Sequence, residues 1–401
     1  MTEWRVATVP ADIETRTRES TRLAHRWLVS HDFTAFDPFE GLSSWLRPVA
    51  FDKVSRQLLQ KAVRMSPVDP RPLLGIKAAR STKAMGYLAR AYLRLDRCDP
   101  GRGYGEDARR GLQWLLEHPS PGYSGLAWGN HFDYQNRLFY LPKGEPTVVW
   151  TALIGHAFLD AWEHLRDERW LQAAESVVAF ILNDLERRPM GDGMCISYIP
   201  SGFSAVHNAN VLAAGLLART AFYSGDALSL QVAREAVDYT VGCQHGDGSW
   251  WYGEGDDLHW VDNFHTGYVL DSLWWYMLGS GDYRHTDRFI TGARFFVDNF
   301  FGRDGLPKYY PHRWWPADIQ CAAQGIETLS LLSRALDQRL LEMAERTAMW
   351  TMENMQHPDG HFAYQKWPFI TNRTPMLHWG QATMMHALAC LLTEEAASHA
   401  S

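Results

Sequence analysis

Apolar residues recur at three- and four-residue spacing along most of this chain. That period belongs to amphipathic helices packed on a core. It predicts helices over 13–30 and 51–65. A Pro-broken stretch carrying Pro67, Pro70 and Pro72 follows. Further helices are predicted over 76–96, 104–117, 147–165, 168–185, 205–223, 228–243, 262–279, 284–300, 318–336, 339–356 and 376–393. Gly, Pro, Asp or Asn bound most of them. No long alternation of apolar and polar residues predicts an extended strand, but Cys195–Tyr198 and Trp250–Tyr252 suit small strands within connections.

The helices alternate between two kinds. Those starting near 147, 205, 262, 318 and 376 are rich in Ala, Gly and small polar residues, as in HNANVLAAGLLA, and read as buried all round. The others, such as WLQAAESVVAFILNDL, have one polar face. Each buried helix follows a long aromatic loop, and the remaining connections are short. Gly193, Gly248, Gly305 and Gly360 mark those loops at steps of 55, 57 and 55 residues. A repeat of that length signals stacked units. The expected fold is all-α, an (α/α)6 barrel or toroid with short β pieces in its rim loops. It spans 1–401 as one domain, with 1–75 an N-terminal extension that helps close the ring. An open helical solenoid is the alternative. Because the chemically rich loops all precede buried helices, the toroid would gather them on one rim.

The chain carries 39 basic and 46 acidic side chains, a formal charge of -7, and no Lys/Arg block. That argues against a nucleic-acid partner. Five scattered Cys form no CxxC pair, the first residues lack an apolar signal region, and no stretch reads as a membrane span. The cytoplasm is the expected location. The 18 Trp, 16 Tyr and 18 Phe are abundant, and many lie in loops beside Gly and Asp. Such aromatics either pack loops onto the core or stack on sugar rings or prenyl chains.

Candidate chemistry lies at the starts of the buried helices. The loop 127–147 offers Trp128, His131, Asp133, Gln135 and Arg137. His207 and Asn208 enter the next unit, and Trp250 and Tyr252 precede Asp262 and His265. Trp315 precedes Asp318, and His378, Trp379 and Gln381 close the series. Asp133, Asp262, Asp318 and His265 are the catalytic candidates. The carboxylates also suit helix caps or loop ion pairs. Trp128, His131, Arg137, His207, Trp250, Tyr252, Trp315, Trp379 and Gln381 are the candidates for substrate binding. Two facing carboxylates, Asp133 with Asp262 or Asp262 with Asp318, would suit glycosidic cleavage. Their separation would be about 5 Å for retention and roughly 6.5–9.5 Å for inversion. Glu327, deep in an apolar helix, must be paired or functional. Asp318, Cys321 and His378 offer a zinc-like set without a recognised spacing, so neither a metal nor another cofactor is expected.

QHGDGSWWY at 244–252 resembles the QW-type turns of class II terpene cyclases, which are also α/α toroids. Their DxDD acid motif has no match, since the nearest string is Gly255-Asp256-Asp257-Leu258. Asp318, Cys321 and His378 loosely resemble the zinc set of prenyltransferase β subunits. A closer resemblance is to a little-characterised bacterial family of helical toroids linked to surface polysaccharide or glycan metabolism. It rests on WGNHFDYQ, VHNAN, QHGDGSWWY, WVDNFHTGYVLD, PADIQ and HWGQA across residues 70–390.

The resulting expectation is a carbohydrate-active enzyme, foremost a glycoside hydrolase acting on an oligo- or polysaccharide. One alternative is a uronate lyase or sugar epimerase, which Tyr252, His265 and Arg137 would serve. Others are a terpene cyclase or prenyltransferase-like enzyme and a non-catalytic glycan-binding protein.

Overall fold

The computed structural model describes residues 12–66 and 68–400, with side chains up to residue 396. Six helices form an inner ring: α3 (Thr82–Cys98), α5 (Val148–Leu165), α7 (His207–Ser224), α9 (Asn263–Ser280), α11 (Ile319–Ala335) and α13 (Thr383–Ala400). Each packs on the next, and α13 returns to α3. Outside them lie α4 (Tyr104–Glu117), α6 (Glu168–Asn183), α8 (Ala227–Gly242), α10 (Thr286–Phe300), α12 (Arg339–Met355) and α1 (Ile13–Ser30). This is the (α/α)6 toroid that the periodicity predicts. The remaining helix, α2 (Lys53–Met65), lies outside the double ring.

The inner helices are buried as their small residues require. In α7 nearly every residue is buried. Gly155 of α5 faces Leu216 of α7, and Gly215 of α7 faces Ser272 of α9, so side chains there would force the ring apart. Several inner helices begin with a capping side chain on one rim. Ser81, Thr147, Asp262 and Asp318 accept from backbone N–H groups of the first turn. On the other rim, Gly225 and Gly281 take the left-handed conformation that ends α7 and α9 sharply.

The glycine repeat is a set of clasps. Each long loop reaches forward and lays a glycine against the backbone of the next outer helix. Gly193 meets α8, Gly248 meets α10, Gly305 meets α12, and Gly360 meets α1 at Leu23. Gly125, outside the original spacing, meets α6 in the same way. A Cβ at any of them would collide with backbone atoms. The last clasp joins the two ends of the ring.

Short strands stiffen the same rim. Tyr134–Gln135 pairs antiparallel with Tyr140–Leu141, and Arg187–Met190 with Gly193–Ile196. Ala317–Asp318, Gln365–Lys366 and Thr371–Asn372 form a three-stranded sheet in that order, tying two successive loops together. The first inner helix starts six residues later than periodicity suggests. The Ala79 N–H bonds the Ala35 carbonyl at 2.9 Å, so the segment before Ser81 is drawn into a bridge. Buried Arg71 fastens the same region, bonding Glu40 at 2.7 Å and the Asp37 carbonyl at 3.0 Å. Among the described residues, no helix is long and apolar enough to cross a membrane.

Candidate active site

A cavity of about 390 Å³ opens on the rim where the inner helices begin. Residues of the first two turns of the inner helices form its floor, among them Lys83, Trp150, Asn208, His265 and Tyr268. Rim loops supply the walls with Tyr134, Tyr252, Trp260 and Tyr309. Helix α2 covers one side and contributes Gln60 and Arg64. The lining is rich in flat aromatic faces with a few polar groups between them, the usual make-up of a small-molecule site.

Two histidines in this wall are each held by a carboxylate. His265 Nδ1 lies 2.7 Å from Asp262 Oδ2. Asp262 caps α9, accepting from the His265 N–H at 3.0 Å and from Trp260 Nε1 at 2.9 Å. The helix start, the ring and the neighbouring indole thus share one anchor. On the far side of the ring closure, His378 Nδ1 lies 2.5 Å from Asp37 Oδ2, both groups 2% exposed. Burial would raise the Asp37 carboxyl, but the His378 imidazole outweighs it and keeps the group below its usual value. With Nδ1 of His265 hydrogen-bonded to Asp262 and Nδ1 of His378 paired with Asp37, each ring presents Nε2 as a base. His378 Nε2 is buried with no protein partner. Nearby His131, whose electrostatic field reaches Asp37 and His378, is pushed down by burial and stays neutral.

Positive charge faces the same space. Lys83 lies 4% exposed on the first turn of α3, 5.0 Å above the Trp150 ring and 3.4 Å from the Tyr268 hydroxyl. Burial lowers its ammonium to about 8, against the weaker pull of Asp37 and Glu327. Tyr268 also accepts from Gln320 at 3.1 Å and sits 3.1 Å from the Tyr87 hydroxyl. Arg64 lies over the Phe39 ring at 5.2 Å. Tyr252 stacks on Trp260 at 4.4 Å, and Arg137 caps that stack 4.7 Å from the Trp260 ring.

Of the residues singled out from the sequence, Gln135, Arg137, Asn208, Tyr252, Asp262, His265, His378 and Trp379 line this cavity. Asp133 does not. Its carboxylate binds Arg47 at 2.6 Å and the Lys143 N–H at 2.9 Å, so it does not face Asp262 across the cavity. Asp318 sits behind Trp379, accepting from its indole at 3.0 Å, from Gln365 at 2.6 Å and from the Gln320 N–H at 2.9 Å. Burial raises its carboxyl to about 6 against those three donors.

Trp128 is fully buried and donates to the Leu115 carbonyl at 3.0 Å. Trp250 likewise donates to Thr240 at 2.9 Å. His207 bonds Glu254 at 2.8 Å beside the cavity. Trp315 packs toward Trp350, and Gln381 clamps both backbone groups of Phe362 at 2.8 Å. Glu327 is paired, 3.1 Å from His386. The described clusters suited to a metal are His207, Cys243 and Glu254, and Glu327, His386 and Cys390, not Asp318 with Cys321 and His378.

Asp37, Arg64 and Lys83 escape sequence reasoning. Asp37 looks like a turn residue before Pro38, and Arg64 like the polar face of a surface helix. A signal existed for Lys83, the one charged residue in the first two turns of an inner helix, ahead of Ala84, Met85, Gly86, Tyr87 and Leu88.

No family model matches the chain, and no curated protein matches it in sequence. Solved structures do match in fold. A D-mannose isomerase superposes with a TM-score of 0.64 at 10% identity, covering 97% of this chain and 100% of that one. The cellobiose 2-epimerase of Bacillus thermoamylovorans gives 0.61 at 13%, covering 80% and 90%. A glycoside hydrolase family 76 mannosidase of Bacteroides thetaiotaomicron gives 0.59 at 12%, covering 95% and 100%. At these identities the likeness establishes the toroid fold. These structures lend no support to the likeness to terpene cyclases drawn from the QW-type turn.

Proposed function

We propose that this protein is a carbohydrate-active enzyme that moves a proton at the carbon beside a sugar carbonyl, as an epimerase or an aldose–ketose isomerase. One observation carries the reading. The carboxylates in the cavity wall, Asp37 and Asp262, are each taken up by a histidine, and the two histidines share one aromatic-lined space. Histidines oriented by carboxylates are suited to general acid–base work near neutral pH. Neither cavity carboxylate is left to protonate a glycosidic oxygen. The names of the isomerase and epimerase of the same fold agree with this chemistry.

In the step proposed, one imidazole Nε2 removes the proton from the carbon next to the carbonyl. The electron pair of that C–H bond forms the enediolate. The second histidine, as imidazolium, supplies a proton to the enediolate carbon or oxygen. Lys83 and Arg64 offset the developing negative charge, an arrangement effective where water is excluded. Tyr252 and Trp260 present stacked faces for the sugar ring.

The test is incubation in D2O with a panel of free aldoses, ketoses and reducing disaccharides, read by NMR. Deuterium should enter at the carbon beside the carbonyl, with an epimer or ketose as product. His265→Asn and His378→Asn should each lose about 100-fold or more of that rate. Absence of exchange, or exchange undiminished in both variants, would overturn the reading.

A further inference from the structure

A second cavity of about 340 Å³ opens at the other end of the toroid axis, where the inner helices finish. It shares no lining residue with the first. Arginine dominates it. Arg90, Arg94 and Arg97 descend from the last turns of α3, Arg219 comes from α7, and Arg334 from α11. The carboxylates in the wall are Asp160 and Glu163 of α5. Five guanidinium groups thus face two lining carboxylates; with Glu394 3.4 Å from Arg334 and Glu327 3.7 Å from Arg90, the excess is one positive charge, in a chain whose formal charge is -7.

Both carboxylates are already committed. Asp160 binds Arg90 at 2.9 Å and Arg219 at 2.6 Å. Glu163 binds Arg219 at 2.7 Å and the Tyr223 hydroxyl at 2.8 Å. What remains unmet is donor capacity. Arg90 is 2% exposed, yet its Nη1 has no hydrogen-bond partner and lies 3.7 Å from Glu327. Arg94 makes no ion pair among the described residues, and its Nε is buried and unpartnered. An arginine cannot shed its charge to relieve such burial, so these donors call for an anion.

The charge is also fixed across neutral pH. Although burial raises Asp160, Arg219 and Arg90 hold it ionised. Burial and the same arginines keep His156 neutral. Beside the guanidinium groups lie apolar faces. Arg90 stands 5.2 Å over the Trp275 ring, and Phe222, 65% exposed, stands at the mouth.

We propose that this chamber binds a phosphate-bearing small molecule, with Arg90 and Arg94 as the principal ligands of the phosphate. Guanidinium pairs bind phosphate oxygens through parallel N–H bonds. The site is separate from the sugar-proton chemistry proposed above, and its test does not depend on activity. Calorimetric titration of the full chain is made with pyrophosphate, with glucose 6-phosphate, and with sodium chloride at matched ionic strength. Saturable binding of either phosphate compound with Kd below about 1 mM is expected. Binding of both would show that the phosphate is recognised by itself. Binding of glucose 6-phosphate alone would show that the organic part is read as well.

Arg94→Gln should weaken binding about tenfold or more, the loss of a charge-assisted bond. Phe222→Glu, at an exposed position, places a carboxylate at the mouth and should weaken it about threefold or more. Should Arg94→Gln fail to fold, Phe222→Glu alone decides. Binding no stronger than in chloride, or unchanged affinity in every folded variant, overturns the proposal.

Discussion

Replacing Lys83 with Met keeps the length of the side chain and removes its charge. In the wild type, burial brings this ammonium from 10.5 to about 8. At about 1.4 kcal/mol per unit, the folded state gives up about 3 kcal/mol by keeping Lys83 charged below pH 8. The sign follows from proton counting. Between about pH 8 and 10.5 the unfolded chain holds the proton that the folded chain has released, so stability rises with pH through that window. From about pH 7 to about pH 9.5 the gain attributable to this group is about 2 kcal/mol. Urea unfolding of the wild type and Lys83→Met at both pH values isolates it, because other groups titrate in both proteins. Lys83→Met should be the more stable protein near neutrality, with the gap narrowing at the higher pH. A gap that stays constant within about 0.5 kcal/mol would refute the reasoning, since Lys83 would then titrate alike folded and unfolded.

Asp318→Asn tests a carboxyl raised rather than a base lowered. With its value at about 6 instead of 3.8, the wild type should lose about 2 kcal/mol of stability as pH rises from about 4 to 6, and the variant should lose less over that range. A Cβ at Gly305 would lie 2.6 Å from the Arg346 carbonyl carbon, at a backbone φ of +90, so Gly305→Ala should cost about 3 kcal/mol and lower Tm by about 3–4 °C in calorimetry. Gly225→Ala has open space at a similar φ and should cost only about 1 kcal/mol, which separates collision from conformation. Asp37→Asn removes the carboxylate that orients His378. It should cut turnover by about 100-fold or more while far-UV circular dichroism is unchanged, and the acidic limb of the pH–rate profile should move.

The ring was legible in the sequence because its two helix kinds differ in composition for a physical reason. An inner helix touches neighbours on every side and needs small residues, as Gly155 and Gly215 show. The glycine period was visible, but its cause was not. It records contact with an outer helix about 40 residues further along, at Thr291 for Gly248, and local pattern carries no trace of that partner. The site was legible in half. Asp262 and His265 lie three residues apart on one helix start, so their pairing follows from local geometry. Asp37 and His378 are separated by nearly the whole chain and meet through ring closure. Asp133 and Asp262 look alike in sequence, each in a polar aromatic loop. What separates them is Arg47, a residue of the N-terminal extension that reaches only one of the two.

The clasp of Gly360 on α1 sets a timetable for synthesis. Helix α1 leaves the ribosome before all the other described helices, but the backbone that receives it is made about 340 residues later. At roughly 5–20 residues per second, α1 waits about 20–70 s for that partner. Through this interval Ala24, Trp27 and Leu28, buried in the finished ring, have neither α12 nor α13 to cover them. A nascent chain in that state is suited to a holding chaperone, and slowing elongation would prolong its exposure.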